Sequence, residues 1–351
     1  MNTQINNENI IDKQAPASST SGDSPSFSTM PGSPLQTSFG TVPHATETGS
    51  HMAPSVCFSN LTKSFGRHRV LDGVSATIPT GQVVGLLGRN GTGKTTLLRM
   101  LYGLIAADHG SVSLLGTDAT NASAAPELRQ KVAFVSEECH LYPWMTGHET
   151  SRFLAPLYRN WDQQRFTTLA DDLEVPLDRR ISAMSKGARR KLMLALAMAP
   201  KPQVLLLDEP LAGLDAVVCE QILSTLIRSL ADAGQTVLLS SHELALVERV
   251  ADRILILAQG KFLIDATTDE LRHSMRRVIV QLSEAVTTLP THPLILAAKS
   301  RGAELELIVR DASDTNVRSL LTNLQVRTTR IEGLSLRDIF TATTASKEEE
   351  R

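Results

Sequence analysis

Eight consecutive residues, Gly88-Arg89-Asn90-Gly91-Thr92-Gly93-Lys94-Thr95, fit the pattern G-x-x-x-x-G-K-[ST]. Glycines so spaced let the backbone wrap around phosphate groups, its N–H groups pointing inward beside the positive end of the following helix. Lys94 then reaches the β- and γ-phosphates, and Thr95, with Thr96 beside it, places a hydroxyl on Mg2+. A Gly-rich turn with a chance Lys-Thr would look the same, but here an apolar strand precedes the loop and a helix follows. A second constellation completes such a site. Val204-Leu205-Leu206-Leu207 reads as a buried strand that delivers Asp208 to a metal at the sheet's C-terminal edge. Glu209, one residue on, can accept a proton from an attacking water. Alone, this Asp-Glu pair would be ordinary. Together with residues 88–95 it points to nucleotide phosphate chemistry.

The elements that position these groups show as an alternation. VVGLL (83–87) leads to a helix from Lys94, VLLLD (204–208) to a helix over 216–233, and TVLLS (236–240) to a helix over 243–251. RILIL (253–257) and KFLID (261–265) follow. Strands separated by helices predict βαβ units, a mostly parallel sheet and an α/β fold. Residues 148–200 lack strong strands and predict a helical insertion. VIVQL (278–282), ELELIV (304–309), a helix at 314–324 and VRTTRI (326–331) predict a small α+β appendage over 276–345. Residues 1–55 differ: Ser, Thr, Pro and Gly make up 27 of them, and no apolar periodicity appears. That composition predicts a disordered tail.

Three more motifs narrow the reading. Met184-Ser185-Lys186-Gly187-Ala188 precedes the run RRKLMLALAMA and lies 23 residues before Asp208, measured from Ser185. Ala212-Gly213-Leu214-Asp215 follows Glu209, and Ser241-His242 follows TVLLS. Ser185 alone reads as a helix N-cap. In order, however, the three resemble the Leu-Ser-Gly-Gly-Gln signature, the D-loop and the switch histidine of ATP-binding cassette (ABC) ATPases. The resemblance covers about residues 56–270. It implies a P-loop NTPase core over 56–275, ATP and Mg2+ as ligands, and Lys94, Glu209 and His242 as catalytic groups. It also implies a head-to-tail dimer, with a second copy or a second ABC ATPase. There Ser185 and Gly187 of one chain meet the γ-phosphate held by the other, with Asp215 nearby. Phe65, in Leu-Thr-Lys-Ser-Phe-Gly, sits where such ATPases stack an aromatic ring on adenine; packing under the sheet edge is the other reading. Leu334-Ser335-Leu336-Arg337-Asp338-Ile339-Phe340 resembles the ending of exporter-class members with a small C-terminal domain, or is an ordinary amphipathic helix.

The pattern has departures. Glu137, in VAFVSE (132–137), stands where the family has glutamine, and Lys186 and Ala188 replace a glycine and a glutamine of the signature. A carboxylate oxygen suits Mg2+ as well as an amide oxygen does, so Glu137 joins Thr95 and Asp208 as a candidate metal ligand. Its added negative charge could be offset by Lys186 supplied across the dimer. Leu141, Tyr142, Pro143, Trp144 and Met145 put large apolar groups in a loop-like stretch, so residues 137–150 and the helical insertion after them are expected to form a groove for a short helix from a cytoplasmic loop of a membrane partner. Packing on the insertion's own core is the alternative.

Composition bounds what remains. The 351 residues carry a net charge of -2 and only 4% aromatics, which argues against nucleic acid as a partner. Three dispersed cysteines, Cys57, Cys139 and Cys219, suit neither a disulfide framework nor a zinc site. No apolar run approaches the ~20 residues of a membrane span, and the start lacks the basic and apolar regions of a secretory signal. A soluble protein follows. The resemblance therefore implies an ATPase subunit at the cytoplasmic face of the inner membrane, peripheral, driving separate transmembrane permease subunits, with export preferred. A non-transport ABC-type ATPase or a regulatory nucleotide-binding module is the alternative. The single phosphate loop, and the 91-residue gap from Lys94 to Ser185 without heptads or Cys pairs, favour the transporter.

Overall fold

The computed structural model describes residues 54–120, 123, 125–138, 140–286, 288–322 and 324–345. The tail expected at the N-terminus, apart from its last two residues, and Cys139 lie outside the described residues. β1 (Val56–Phe65) and β2 (His68–Ile78) form an antiparallel pair, and β3 (Val83–Leu87) runs into the glycine loop and α1 (Lys94–Leu101). β4 (His109–Leu114) and β5 (Thr117–Asp118) return to β1. The resulting antiparallel sheet, β2-β1-β4-β5, was not anticipated from the sequence. Register shifts along β1, between Phe58 and Leu61 and again at Lys63, break the two-residue alternation by which an antiparallel strand is recognised.

α2 (Ala125–Lys131) and β6 (Val132–Val135) lead to α3 (Gly147–Leu154), α4 (Gln163–Asp172) and α5 (Lys186–Met198). Then come β7 (Val204–Asp208), α6 (Ala216–Ala233), β8 (Thr236–Ser241), α7 (Leu244–Val250), β9 (Arg253–Ala258), β10 (Lys261–Thr267) and α8 (Thr268–Ser274). The central sheet runs β10-β9-β3-β8-β7-β6, parallel throughout except that β10 lies antiparallel to β9. Every residue of β3, β7 and β8 is buried, as expected of parallel strands covered on both faces. Alternate side chains feed two cores. Leu87, Leu205, Leu207, Leu239 and Ile256 meet the helical side, whereas Leu86, Leu206, Leu238 and Leu257 meet α1 and the antiparallel sheet.

β11 (Met275–Leu282), β12 (Ile295–Arg301), β13 (Glu304–Arg310), α9 (Asp314–Leu321), β14 (Val326–Gly333) and α10 (Leu336–Ala345) complete the chain. Their antiparallel sheet has the order β12-β13-β11-β14. β12, with the sequence ILAAKSR, escaped the sequence reading because Ala, Lys and Ser favour strands weakly. Its state comes from pairing with β13. Among the described residues no helix is long and apolar enough to cross a membrane.

Candidate functional site

The C-terminal edge of the parallel sheet gathers the loop after β3, the turn after β7 and the residues after β8, the place where open α/β sheets bind ligands. The loop after β3 leaves no room for side chains at two of its glycines. A Cβ on Gly88 would stand 2.5 Å from Thr92 Oγ1 and 2.6 Å from the Leu257 carbonyl of β9. Gly93 has φ +106, and a Cβ there would stand 2.9 Å from Val70 of β2. Arg89 and Asn90 are exposed on the loop, and Thr92 closes it by donating to the Arg89 carbonyl at 2.9 Å.

Lys94 is buried, although α1 begins with it. Its ammonium donates to the Gly88 carbonyl at 2.8 Å and the Arg89 carbonyl at 3.3 Å, and lies 3.3 Å from Glu209 Oε1. That last contact is an ion pair without hydrogen-bond alignment. Thr95 Oγ1 donates to Asp208 Oδ1 at 3.0 Å, and Thr96 is half-buried beside it. Asp208 is fully buried at the end of β7, and its Oδ2 has no hydrogen-bond partner among the described residues. A buried carboxylate oxygen left bare is costly. With the Thr95 hydroxyl it makes an all-oxygen donor set that suits Mg2+.

Glu209 adopts φ +48, a left-handed conformation that a non-glycine residue enters at a cost. Its surroundings hold it there. Its N–H donates to Ser240 Oγ at 2.9 Å, and that hydroxyl donates in turn to Asp208 Oδ1 at 2.9 Å. Glu209 Oε2 accepts from the His242 N–H at 3.3 Å and lies 2.7 Å from His242 Nδ1. The positive φ turns the Glu209 carboxylate toward His242 and Lys94. Ser240 was missed in the sequence. It pairs in register with Asp208, and a serine ending an apolar strand beside that candidate carboxylate was the available signal.

The other sequence candidates lie elsewhere. Ser185 caps α5 by accepting from the Ala188 N–H at 3.1 Å, and Asp215 accepts from the Val218 N–H at the start of α6. A Cβ on Gly187 would touch Val218. The Lys186 ammonium lies against its own chain's Gly213, 2.6 Å from where a Cβ would stand. Phe65 is 51% exposed at the tip of the β1–β2 pair, with Lys63 Nζ 5.6 Å from its ring centre, so it does not pack under the sheet edge. Glu137 is exposed, two residues past β6 at the same sheet edge as Asp208. Among the described residues no hydrogen bond or ion pair joins Phe65, Glu137, Ser185, Gly187 or Asp215 to the Lys94–Asp208–Glu209–His242 group, or Glu137 to Lys186. A second residue missed in the sequence, buried Arg190 of α5, donates to the Ser136 carbonyl at 3.0 Å and ties α5 to the turn bearing Glu137.

Comparison with known proteins bears on the family and the fold. The profile of the family described as "ABC transporter" matches residues 71–212. The uncharacterized ABC transporter ATP-binding protein YhaQ of Bacillus subtilis is 31% identical over 290 residues, spanning 80% of this chain and 95% of its own. The daunorubicin/doxorubicin resistance ATP-binding protein DrrA of Streptomyces peucetius is 30% identical, spanning 84% of this chain and 93% of its own. A solved structure of an ATP-binding subunit of an ABC transporter superposes with a TM-score of 0.55 at 28% identity, covering 62% of this chain and 91% of that one.

Proposed function

Because the chain belongs to the ABC transporter family as an ATP-binding, ATP-hydrolysing subunit, we propose that hydrolysis rests on Lys94, Thr95, Asp208, Glu209 and His242. The carrying observation is the chain of contacts from Thr95 through Asp208 and Ser240 to Glu209, with Lys94 on one Glu209 oxygen and His242 on the other. The loop residues 88–93 and the first turn of α1, Thr96 included, wrap the phosphates with N–H donors. Lys94 leaves the carbonyls of Gly88 and Arg89 for the γ-phosphate, where its charge stabilises the charge spread in the transition state. Thr95 and the bare oxygen of Asp208 would hold Mg2+, which when bound would neutralise charge on the phosphates. Glu209 accepts the proton of the water whose oxygen forms the new bond to phosphorus as the bond to the ADP oxygen breaks. His242 fixes the orientation of that carboxylate.

Phe65 lies open for an adenine ring, and Ser185 and Asp215, both exposed, with half-buried Gly187 between α5 and α6, would serve a nucleotide held by a second ATPase chain. Glu137, exposed at the same sheet edge as Asp208, would add a third oxygen ligand to the metal. The chain works at the cytoplasmic face of the inner membrane with separate transmembrane subunits, and export is the favoured direction. That preference draws on the relative named for drug resistance.

Mg2+-dependent ATPase assays test the site. Glu209→Gln keeps the shape and removes the base, so turnover should fall on the order of 10²–10⁴ while ATP binding persists. Lys94→Ala should weaken both. Undiminished turnover in Glu209→Gln overturns the assignment.

A further inference from the structure

α7 begins two residues after His242 and has only seven residues, far below the length at which a helix holds itself together in water. Its position must come from what it packs against. Its inner face is fixed at Gly85 of β3, where a side chain would stand 2.4 Å from Val247 Cγ1, so Val247 seats directly on the strand that feeds the phosphate loop. The residue after its C-cap, Asp252, is fixed too, exchanging bonds with both backbone groups of Val83. The outer side is covered by α10, the last helix of the C-terminal appendage.

Leu334-Ser335-Leu336-Arg337-Asp338-Ile339-Phe340 builds that cover. Ser335 Oγ accepts from the Asp338 N–H and donates to the Asp338 carboxylate, starting α10. Leu336, Ile339 and Ala342 are buried in the same apolar cluster as Leu244, Val247 and Ala251. Glu248 of α7 accepts the Leu336 N–H at 3.3 Å, placing a carboxylate at the positive end of α10. Arg277 of β11 pairs with Asp338 at 3.0 Å and with Glu306 of β13 at 2.9 Å, tying the helix to the appendage's sheet. A continuous path thus runs from that sheet through α10 and α7 to the backbone bearing His242, 2.7 Å from Glu209.

We propose that α10 is a brace that positions His242 through α7, with Ile339, Leu336 and Glu248 as positioning residues, so that the C-terminal appendage sets the rate of ATP turnover. The inference rests on the reading of His242 as a catalytic group. The path gives the appendage a mechanical hold on the hydrolytic site without contact with nucleotide. A change in the appendage's sheet would reach His242 through the Arg277–Asp338 pair and the Ile339 contact.

The test measures kcat and KM for ATP on the full chain, with circular dichroism and ATP binding as controls. The variants are Ile339→Ala, Glu248→Ala and Glu248→Gln, each made alone and with His242→Ala. Glu248→Ala, a good helix former, leaves α7 intact and keeps the test open should Ile339→Ala fold poorly. Ile339→Ala and Glu248→Ala should each lower kcat, by roughly two- to thirtyfold as for substitutions along a coupling path, with KM little changed. Glu248→Gln, whose amide oxygen still accepts the Leu336 N–H, should restore the rate. With His242 already replaced, none should lower the residual rate further. Equal losses in both backgrounds, or unchanged kcat in Ile339→Ala and Glu248→Ala while His242→Ala is impaired, overturn the brace and leave the role of His242 standing. Normal turnover in His242→Ala alone removes that role, and the brace with it.

Discussion

Glu209 combines chemistry and strain in one residue. At φ +48 an L-residue brings its Cβ close to the following carbonyl, at about 1–2 kcal/mol. The two Ser240 contacts and the His242 N–H offset that cost and fix the carboxylate. Two substitutions separate the backbone term from the side chain's. Glu209→Ala and Glu209→Gly both delete the carboxylate, but only glycine relieves the left-handed strain. Glu209→Gly should therefore be more stable to thermal unfolding than Glu209→Ala by about 1 kcal/mol, both being inactive. Equal stabilities would mean that the turn relaxes at no cost. Gly213 shows another constraint of this kind: at φ +67 a side chain would be strained, and it would also displace the Lys186 ammonium laid against it. The lysine that replaces a signature glycine thus lies, in the single chain, beside Gly213.

At the scale of elements, α3 shows how a short helix is anchored where a partner is expected. Thr146 Oγ1 accepts the Glu149 N–H at 3.2 Å, and the Glu149 carboxylate accepts the Thr146 N–H at 2.8 Å. That backbone bond holds the Glu149 carboxyl below the ordinary glutamate range. Its contribution is complete above the unfolded-chain value of ~4.3 and is lost as pH falls through the lowered folded-state value. Amide exchange protection along α3 should drop on acidification through that window, and Glu149→Gln should remove the dependence. At neutral pH Thr146→Ala should cost about 1 kcal/mol in the same helix. Protection unchanged in Thr146→Ala would show that the close contact of Gly147 with Leu177 holds the helix start by itself.

Over the whole molecule, the stretch after β6 divides between core and surface. Leu141 and Met145 pack against the helical-side core, while Tyr142 and Trp144 are exposed. The Tyr142 ring lies 4.9 Å from that of Trp144, tilted by 34°, and meets Phe153 of α3 edge-on at 5.9 Å, and Phe153 is exposed as well. Three aromatic rings held together at the surface form an apolar patch of the kind that marks a protein contact. A membrane partner that seats a helix here should crosslink to a Trp144→Cys variant in native membranes. Crosslinks confined to soluble chains would move the membrane contact elsewhere.

Residues 88–95 and the pair Asp208-Glu209 were legible in the sequence because their chemistry is local. A phosphate loop needs glycines and a lysine at fixed spacing, and a buried parallel strand announces itself as an unbroken apolar run ending in a carboxylate. What joins them was not legible, since Ser240 reaches Asp208 only through the pairing of β8 with β7, 32 residues apart in the chain. The left-handed turn at Glu209, the irregular β1 and the weak strand β12 likewise depend on partners distant in sequence. The same holds for the motif at 334–340, whose two readings the sequence left open. Its leucines and isoleucine could have covered any apolar surface, and the packing of the appendage alone placed them against the helix that begins two residues after His242.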